Sequence, residues 1–191
     1  KLLVRVESPT QVSASRWETG AYDWPTISRV ARLQVPLPVD PAVLTADQID
    51  TFLRWVVGQA NRSKIQPIIS LTSLDTTAGK LESITVQQAL SELGPLRTNL
   101  DSDQVVSGEQ VALTLANVAS GILEVEPEVG LIHYMGPDST GQTRQFYLNT
   151  SHSLSRWLQR LNPYHLAGVA LEGLFDPSLG QETKAALEAF R

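Results

Sequence analysis

Apolar residues in this chain fall into two patterns: short, nearly unbroken runs, and longer stretches where they recur every three to four positions. The runs Leu2 to Val6, Val30 to Leu37, Ile65 to Leu71 and Leu166 to Leu171 are leucine-rich or β-branched and scarcely alternate. They predict strands covered on both faces, as in a parallel sheet. Between the second and third, Ile49, Phe52, Leu53, Val56 and Val57 make one helical stripe behind Thr45 and Gln48, which stand at capping-box spacing. The same spacing recurs at Thr85 and Gln88, Ser107 and Gln110, and Ser178 and Gln181, while Gly94 and Gly121 stand where left-handed helix ends are expected. Trp17 to Trp24 is rich in aromatic residues and runs into Pro25, which predicts the first turn of a short helix through Arg29.

Later, Gly130 to Met135 and Thr143 to Leu148 flank the turn-forming segment Gly136 to Gln142 and predict an antiparallel hairpin. Leu154, Trp157, Leu158 and Leu161 share one side of a helix from about Ser151 to Leu161, which leads into the last strand. The predicted order is β, α, β, α, β, then an insertion of two helices and a hairpin, then a helix and a strand. A short apolar strand that follows a helix reads as one unit of a parallel sheet in an α/β fold. Ligand chemistry in such folds collects at the strand C-termini.

A length of 191 residues suits one core, or one core with a small appended subdomain. The formal net charge of -5 argues against an extended basic face for nucleic acid or anionic lipid. Cysteine is absent, which excludes disulfides, thiolate catalysis and Cys-ligated zinc. No stretch is apolar for long enough to cross a bilayer, and no signal segment precedes Lys1. A start at lysine is read as a processed or excised piece of something longer.

Carboxylates fall near the ends of all the expected parallel strands: Glu7, Asp40, Asp75 and Glu172. On one rim they would serve as acceptors for sugar hydroxyls or as an acid/base pair, with turn and helix-cap roles as the plainer alternative. Glu172 stands out, because an acid after Gly168-Val169-Ala170-Leu171 is costly to bury unless it is paired or wet. Trp17, Tyr22, Trp24, Tyr134 and Tyr147 offer faces for sugar rings, against the plainer role of packing between layers. His133, His152 and His165 lack metal-ligand spacing, and Ser70 and Ser73 lack a nucleophile context, so neither metal nor cofactor is expected. Asn61-Arg62-Ser63 and Asn149-Thr150-Ser151 match the glycosylation acceptor pattern.

The order Tyr134, Gly141, Phe146, Tyr147, Ser153, Leu154, then Leu166-Ala167-Gly168-Val169-Ala170-Leu171, resembles the end of a chitinase-like glycoside hydrolase family 18 barrel. It is most similar to the bacterial spore-wall and cell-wall branch often found with LysM modules. Ala21-Tyr22-Asp23-Trp24, Ile27 and Arg29 resemble that branch before strand six, and Trp55-Val56-Val57, Arg62 and Lys64-Ile65 resemble its entry to strand seven. Ala89-Leu90 sits where the branch has a helix in its inserted subdomain. The resemblance implies an incomplete (β/α)8-type barrel of about four parallel strands, strands five to eight, at residues 1–78 and 162–191, with an inserted α+β subdomain at 79–161, all in one domain.

Four departures bear on chemistry. The fourth-strand acidic signature carrying the family's general acid has no counterpart. Leu37-Pro38-Val39-Asp40 keeps an acid but loses a tyrosine, and Thr72 and Glu172 stand where the family has a tyrosine and a tryptophan. The candidate ligand-binding residues are thus Asp40, Thr72, Asp75, Glu172, Glu7, Trp24 and Tyr134, with no catalytic residue assigned. The resemblance implies a module that binds peptidoglycan or chitin-like glycan without hydrolysing it alone. Its alternatives are the C-terminal half of an active N-acetylglucosaminidase and a structural or protein-interaction module. The partners it implies are a glycan and either the N-terminal barrel half or a second copy, without nucleic acid or membrane insertion, in an extracellular or bacterial-envelope setting.

Overall fold

The computed structural model describes residues 2–13, 16–39, 45–77, 81–92, 96–98, 113–115, 121–138, 140–173 and 180–188. They form two compact units, one of Lys1–Thr72, Glu126–Leu131 and Asn149–Arg191, the other of Ser73–Val125 and Ile132–Leu148. The helix over Ser151–Leu161, expected at the end of the insertion, groups with the first unit.

The first unit opens with β1 (Leu3–Arg5), then an antiparallel ribbon that the sequence pattern had not indicated, β2 (Thr10–Ser13) and β3 (Arg16–Glu18). Helix α1 (Trp24–Val30) starts where the Asp23 carboxylate accepts from Thr26 N at 3.1 Å and Thr26 Oγ1 at 2.6 Å. It takes Val30, expected in a strand, into its last turn. β4 (Arg32–Pro36) leads toward α2 (Ala46–Gln59), whose predicted stripe buries Ile49, Phe52, Leu53 and Val56. The expected Thr45–Gln48 capping box does not form, since Thr45 makes no side-chain cap bond. β5 (Ile65–Ser70) follows.

The second unit contains β6 (Ser73–Asp75), β7 (Glu82–Ile84), α3 (Val86–Glu92), β8 (Leu96–Thr98), β9 (Leu113–Leu115), β10 (Ile122–Val125), β11 (Ile132–Pro137) and β12 (Thr143–Leu148). The Thr85–Gln88 box is present, with Thr85 N donating to Gln88 Oε1 at 2.8 Å and Gln88 N to Thr85 Oγ1 at 3.0 Å. The second helix expected behind Ser107 is not what the described part of that stretch shows. Leu113–Leu115 instead pairs antiparallel with β8, as leucine flanking a β-branched threonine suits a strand. Ser107, Gln110, Ser178 and Gly94 lie outside the described residues, as does the Gln181 side chain. Gly121 leads into β10.

Five strands of this unit form an antiparallel sheet ordered β10-β11-β12-β6-β7. Its core joins Ala89 of α3 to Tyr134, Phe146 and Leu148. The hairpin turn is held by Asp138, whose carboxylate accepts from Thr140 Oγ1 at 2.7 Å, Thr140 N at 2.8 Å and Gln142 N at 3.0 Å. These bonds, the Thr140 hydroxyl first, hold the Asp138 carboxyl below its ordinary value of 3.8, against the opposing pull of burial. The unfolded chain therefore takes up this proton before the folded one does, so stability contributed here is present above about pH 4 and lost as pH falls through the lowered value. Thermal melts from about pH 5 to about pH 2 should show that acid loss, and Asp138→Asn should flatten it. An unchanged acid limb in the variant would refute this assignment.

The chain then re-enters the first unit through α4 (Ser151–Leu161), β13 (Ala170–Glu172) and α5 (Gly180–Glu188). Helix α4 has a capping box the sequence reading passed over: Thr150 N donates to Ser153 Oγ at 2.8 Å, and Ser153 N to Thr150 Oγ1 at 3.5 Å. Its Arg160 reaches the Glu128 carbonyl at 3.1 Å, the Glu128 carboxylate, and Asp50 at 3.2 Å. The Glu126–Leu131 turn lies flat on this helix because Gly130, at φ 68°, leaves room where a Cβ would come within 2.7 Å of the His152 ring.

The four parallel strands are one sheet, ordered β1-β4-β5-β13. Burial alternates along β4 but not along β5. Leu33, Val35, Ile65 and Ile69 are sealed on one face; on the other Ile68 is sealed as well, while Arg5, Gln34, Gln66, Ser70 and Glu172 are half-buried or exposed.

Candidate functional site

The C-termini of the parallel strands set the geometry of the rim. β13 pairs with β5 so that Glu172 stands beside Ser70, and β4 pairs with both β1 and β5 so that Arg5, Gln34 and Gln66 form one row across that face. Gln34 Nε2 donates to Gln66 Oε1 at 3.1 Å, and Gln66 Nε2 to the Val169 carbonyl at 3.2 Å, so the row is braced from within.

Arg5 and Glu172 close the rim from opposite edges of the sheet. Arg5 Nη1 meets Glu172 Oε1 at 3.1 Å and Nη2 meets Oε2 at 3.2 Å, a two-pronged ion pair between the first and last strands in the sheet order. In a flat sheet three inter-strand steps would hold those edges about 14 Å apart, with side chains standing perpendicular and unable to meet. The pair therefore records strong curling, the curvature of a barrel wall. With side chains 56% and 46% exposed, the pair itself adds little to stability, about 0 to 1 kcal/mol.

Beside Glu172 the Ser70 and Thr72 hydroxyls lie 2.7 Å apart, and Leu71 N donates to the Glu172 carbonyl at 2.8 Å. Gly173, at φ 82°, turns the chain away, and a Cβ there would press to 3.2 Å from the Thr72 methyl. Asn149 fixes this rim from below. Its Nδ2 donates to the Thr72 carbonyl at 2.6 Å, and its Oδ1 accepts from Ser153 Oγ at 2.9 Å. At 7% exposure the Asn149 amide is committed to these bonds, not offered as a glycosylation acceptor. The Asn61 carboxamide likewise accepts from Ser63 N at 3.0 Å.

Of the residues singled out from sequence, Thr72 and Glu172 come together here, and Glu7 is exposed just after β1. Asp40 lies outside the described residues. Asp75 is not at the end of a parallel strand. The chain leaves β5 at Ser70 and enters β6 at Ser73, so Asp75 sits opposite Phe146 in the antiparallel sheet, pairs with Arg144 at 3.3 Å and accepts from Thr77 N at 2.7 Å. Trp24 is fully buried against Trp55, with ring centroids 5.5 Å apart. Tyr134 is fully buried too, and its hydroxyl donates to the Pro137 carbonyl at 2.8 Å; burial raises its pKa. Their ring faces belong to cores.

Arg5 and Asn149 carry as much of the rim as the residues foreseen. The signal for Arg5 was in β1, where Val4 and Val6 alternate with Arg5 and Glu7. Asn149 gave none, because its partners are distant in sequence. Among the described residues no three His, Asp or Glu side chains come together as a metal would require, and no helix is long and apolar enough to cross a membrane.

No protein-family model matches the sequence, and no curated protein does. Solved structures match throughout the chain. A chitinase from Chromobacterium violaceum superposes with a TM-score of 0.69 at 15% identity, covering 100% of this chain and 55% of its own. The spore cortex-lytic enzyme SleL of Bacillus megaterium gives 0.60 at 14%, covering 99% and 40%. A glycoside hydrolase family 18 N-acetylglucosaminidase from Paenibacillus barengoltzii gives 0.53 at 11%, covering 88% and 51%. The chain thus spans about half the length of each and has the fold of half a chitinase-like barrel, as the sequence resemblance implied.

Proposed function

We propose that this chain is a catalytically incomplete chitinase-like half-barrel. It binds a glycan containing N-acetylglucosamine, peptidoglycan or chitin-like, at the C-terminal rim of its parallel sheet. The observation that carries this reading is the polar row ending in Arg5, Glu172, Ser70 and Thr72, a set of charged and hydroxyl groups suited to sugar hydroxyls. Glu172 is held by a guanidinium rather than by a second carboxyl. Retaining glycoside hydrolysis needs two carboxyl groups about 5 Å apart, so Glu172 in this setting is an acceptor, not half of an acid/base pair. Glu7 and Thr72 extend the same rim in this reading, and Asp40 is kept in the ligand set on its sequence alone. A glycan ligand of this kind places the protein outside the cell or in a bacterial envelope.

Titration calorimetry with chitooligosaccharides, together with peptidoglycan pull-down, tests it. Binding is expected without release of reducing sugar. Glu172→Ala should weaken binding at least about tenfold, the loss of a charge-assisted hydrogen bond. Failure to bind either polymer would overturn the glycan reading and favour a structural or protein-interaction module.

A second reading draws on the share of each neighbour covered, 40% to 55%. The chain is then the C-terminal half of an active N-acetylglucosaminidase whose catalytic glutamate lies in other sequence. Both readings call for a complementary barrel half, from a longer polypeptide or a second copy. Hydrolysis of chitooligosaccharide only when an upstream half is supplied would favour the second.

A further inference from the structure

We propose that the complementary half is a second copy of this chain, docked across both free edges of the parallel sheet so that Glu172 of each copy lies beside Arg5 of the other. This names the partner left open above; it rests on the half-barrel reading and not on the glycan. Among the described residues β1 and β13 are the two outer strands of the sheet, and both run in the same direction. A two-fold axis along that direction brings β13 of one copy beside β1 of the other at two equivalent seams, all parallel. Such a ring has about eight strands, the number that closes a barrel of this type.

Register and charge then agree. The observed pairings run from Arg5 to Gln34 to Gln66, and the β5–β13 pairing of Ile68 with Ala170 carries that row on to Gly168. Arg5 nevertheless touches Glu172, on the row further along β13, so the level of the barrel axis climbs along the strands as one moves from β1 to β13. An eight-stranded barrel with a shear of about 8 residues shifts register by roughly four per two-fold-related half. The Gly168 row therefore meets the partner at position 1, and Glu172 meets Arg5. The shift is even, so both side chains stay on the inner face. Opposite charges fall together at each seam. Closure would also cover the edge residues Leu2 and Leu3, which are 59% and 50% exposed.

Sedimentation equilibrium of the full chain at about 0.1 mM, which populates interfaces of micromolar affinity, should give twice the mass of a single chain. Arg5→Glu and Glu172→Arg chains should each be monomeric, with circular dichroism like that of the parent. Mixed in equal amounts they should recover the dimer, because both seams of the mixed pair then join opposite charges. Recovery on mixing distinguishes a contact between chains from the one within a chain. A monomeric parent, or a mixture that stays monomeric beside a dimeric parent, overturns the proposal whatever the glycan titration shows.

Discussion

Replacing Phe52 by alanine is expected to cost about 4 kcal/mol, enough to lower the melting temperature of the first unit by roughly 10 °C. Phe52 is 1% exposed on the buried stripe of α2. Its ring meets Trp17 edge-on at 4.8 Å and Trp55 at 6.4 Å, and Trp55 in turn meets Trp24 at 5.5 Å. Truncation removes the transfer free energy of a phenyl ring and leaves a cavity lined by large rigid rings, which collapse poorly into the space. The cost should therefore sit toward the upper end for its type, while Phe52→Leu costs less. Differential scanning calorimetry of the two variants checks this. A Phe52→Ala protein that melts within a degree or two of the parent would show that the aromatic layer does not hold the unit together.

Arg144→Met should cost about 3 kcal/mol in the second unit. Arg144 lies among three carboxylates: Asp75 at 3.3 Å, Asp138 at 4.0 Å, and Glu92, to which it is hydrogen-bonded. Its side chain is 22% exposed, and those of Asp75 and Asp138 are 13% and 9% exposed. The guanidinium also stands 5.6 Å from the centre of the Phe146 ring. Methionine keeps much of the packed stem but removes the cation, leaving like charges in a space with little water; breaking a buried pair from one side is far costlier than losing a surface bridge. Arg144 is one of the groups that hold the Asp138 carboxyl low, so part of the loss should return on acidification. Denaturant melts at neutral and acidic pH measure both effects. Equal destabilisation at the two would mean that lost packing, not charge, is responsible.

These two sites also show how far the sequence could be read. The helical stripe Ile49, Phe52, Leu53, Val56 sufficed to place α2 and to bury it, because a period of 3.6 is a local property of the chain. The strands at Leu3–Arg5, Arg32–Pro36 and Ile65–Ser70 were legible for a similar reason, with ends off by a residue or two. Glu172 was found because an acid at the end of an apolar run is costly unless it has company. Its company, Arg5, is 167 positions away, and spacing along the chain carries no information about such a contact.

Trp24 and Tyr134 illustrate the opposite case. An aromatic ring has the same sequence signature whether it stacks on a sugar or on another ring; only Trp55 and Phe146, brought up by the folded backbone, decide it. Asp75 looked like a rim residue because strand and loop are alike in composition just after Ser70. The antiparallel partner β12 assigned it to another sheet.

By itself the sequence determined the α/β class, the parallel direction of the strands and the absence of cysteine chemistry, since these follow from local pattern and composition. The tertiary structure alone decided that one face of the parallel sheet carries a row of polar side chains, that the sheet curls enough for Arg5 to grip Glu172, and that Asn149 holds Thr72 in place. Curvature and long-range pairing arise from the sum of many strand twists and packings, so no single stretch of residues encodes them.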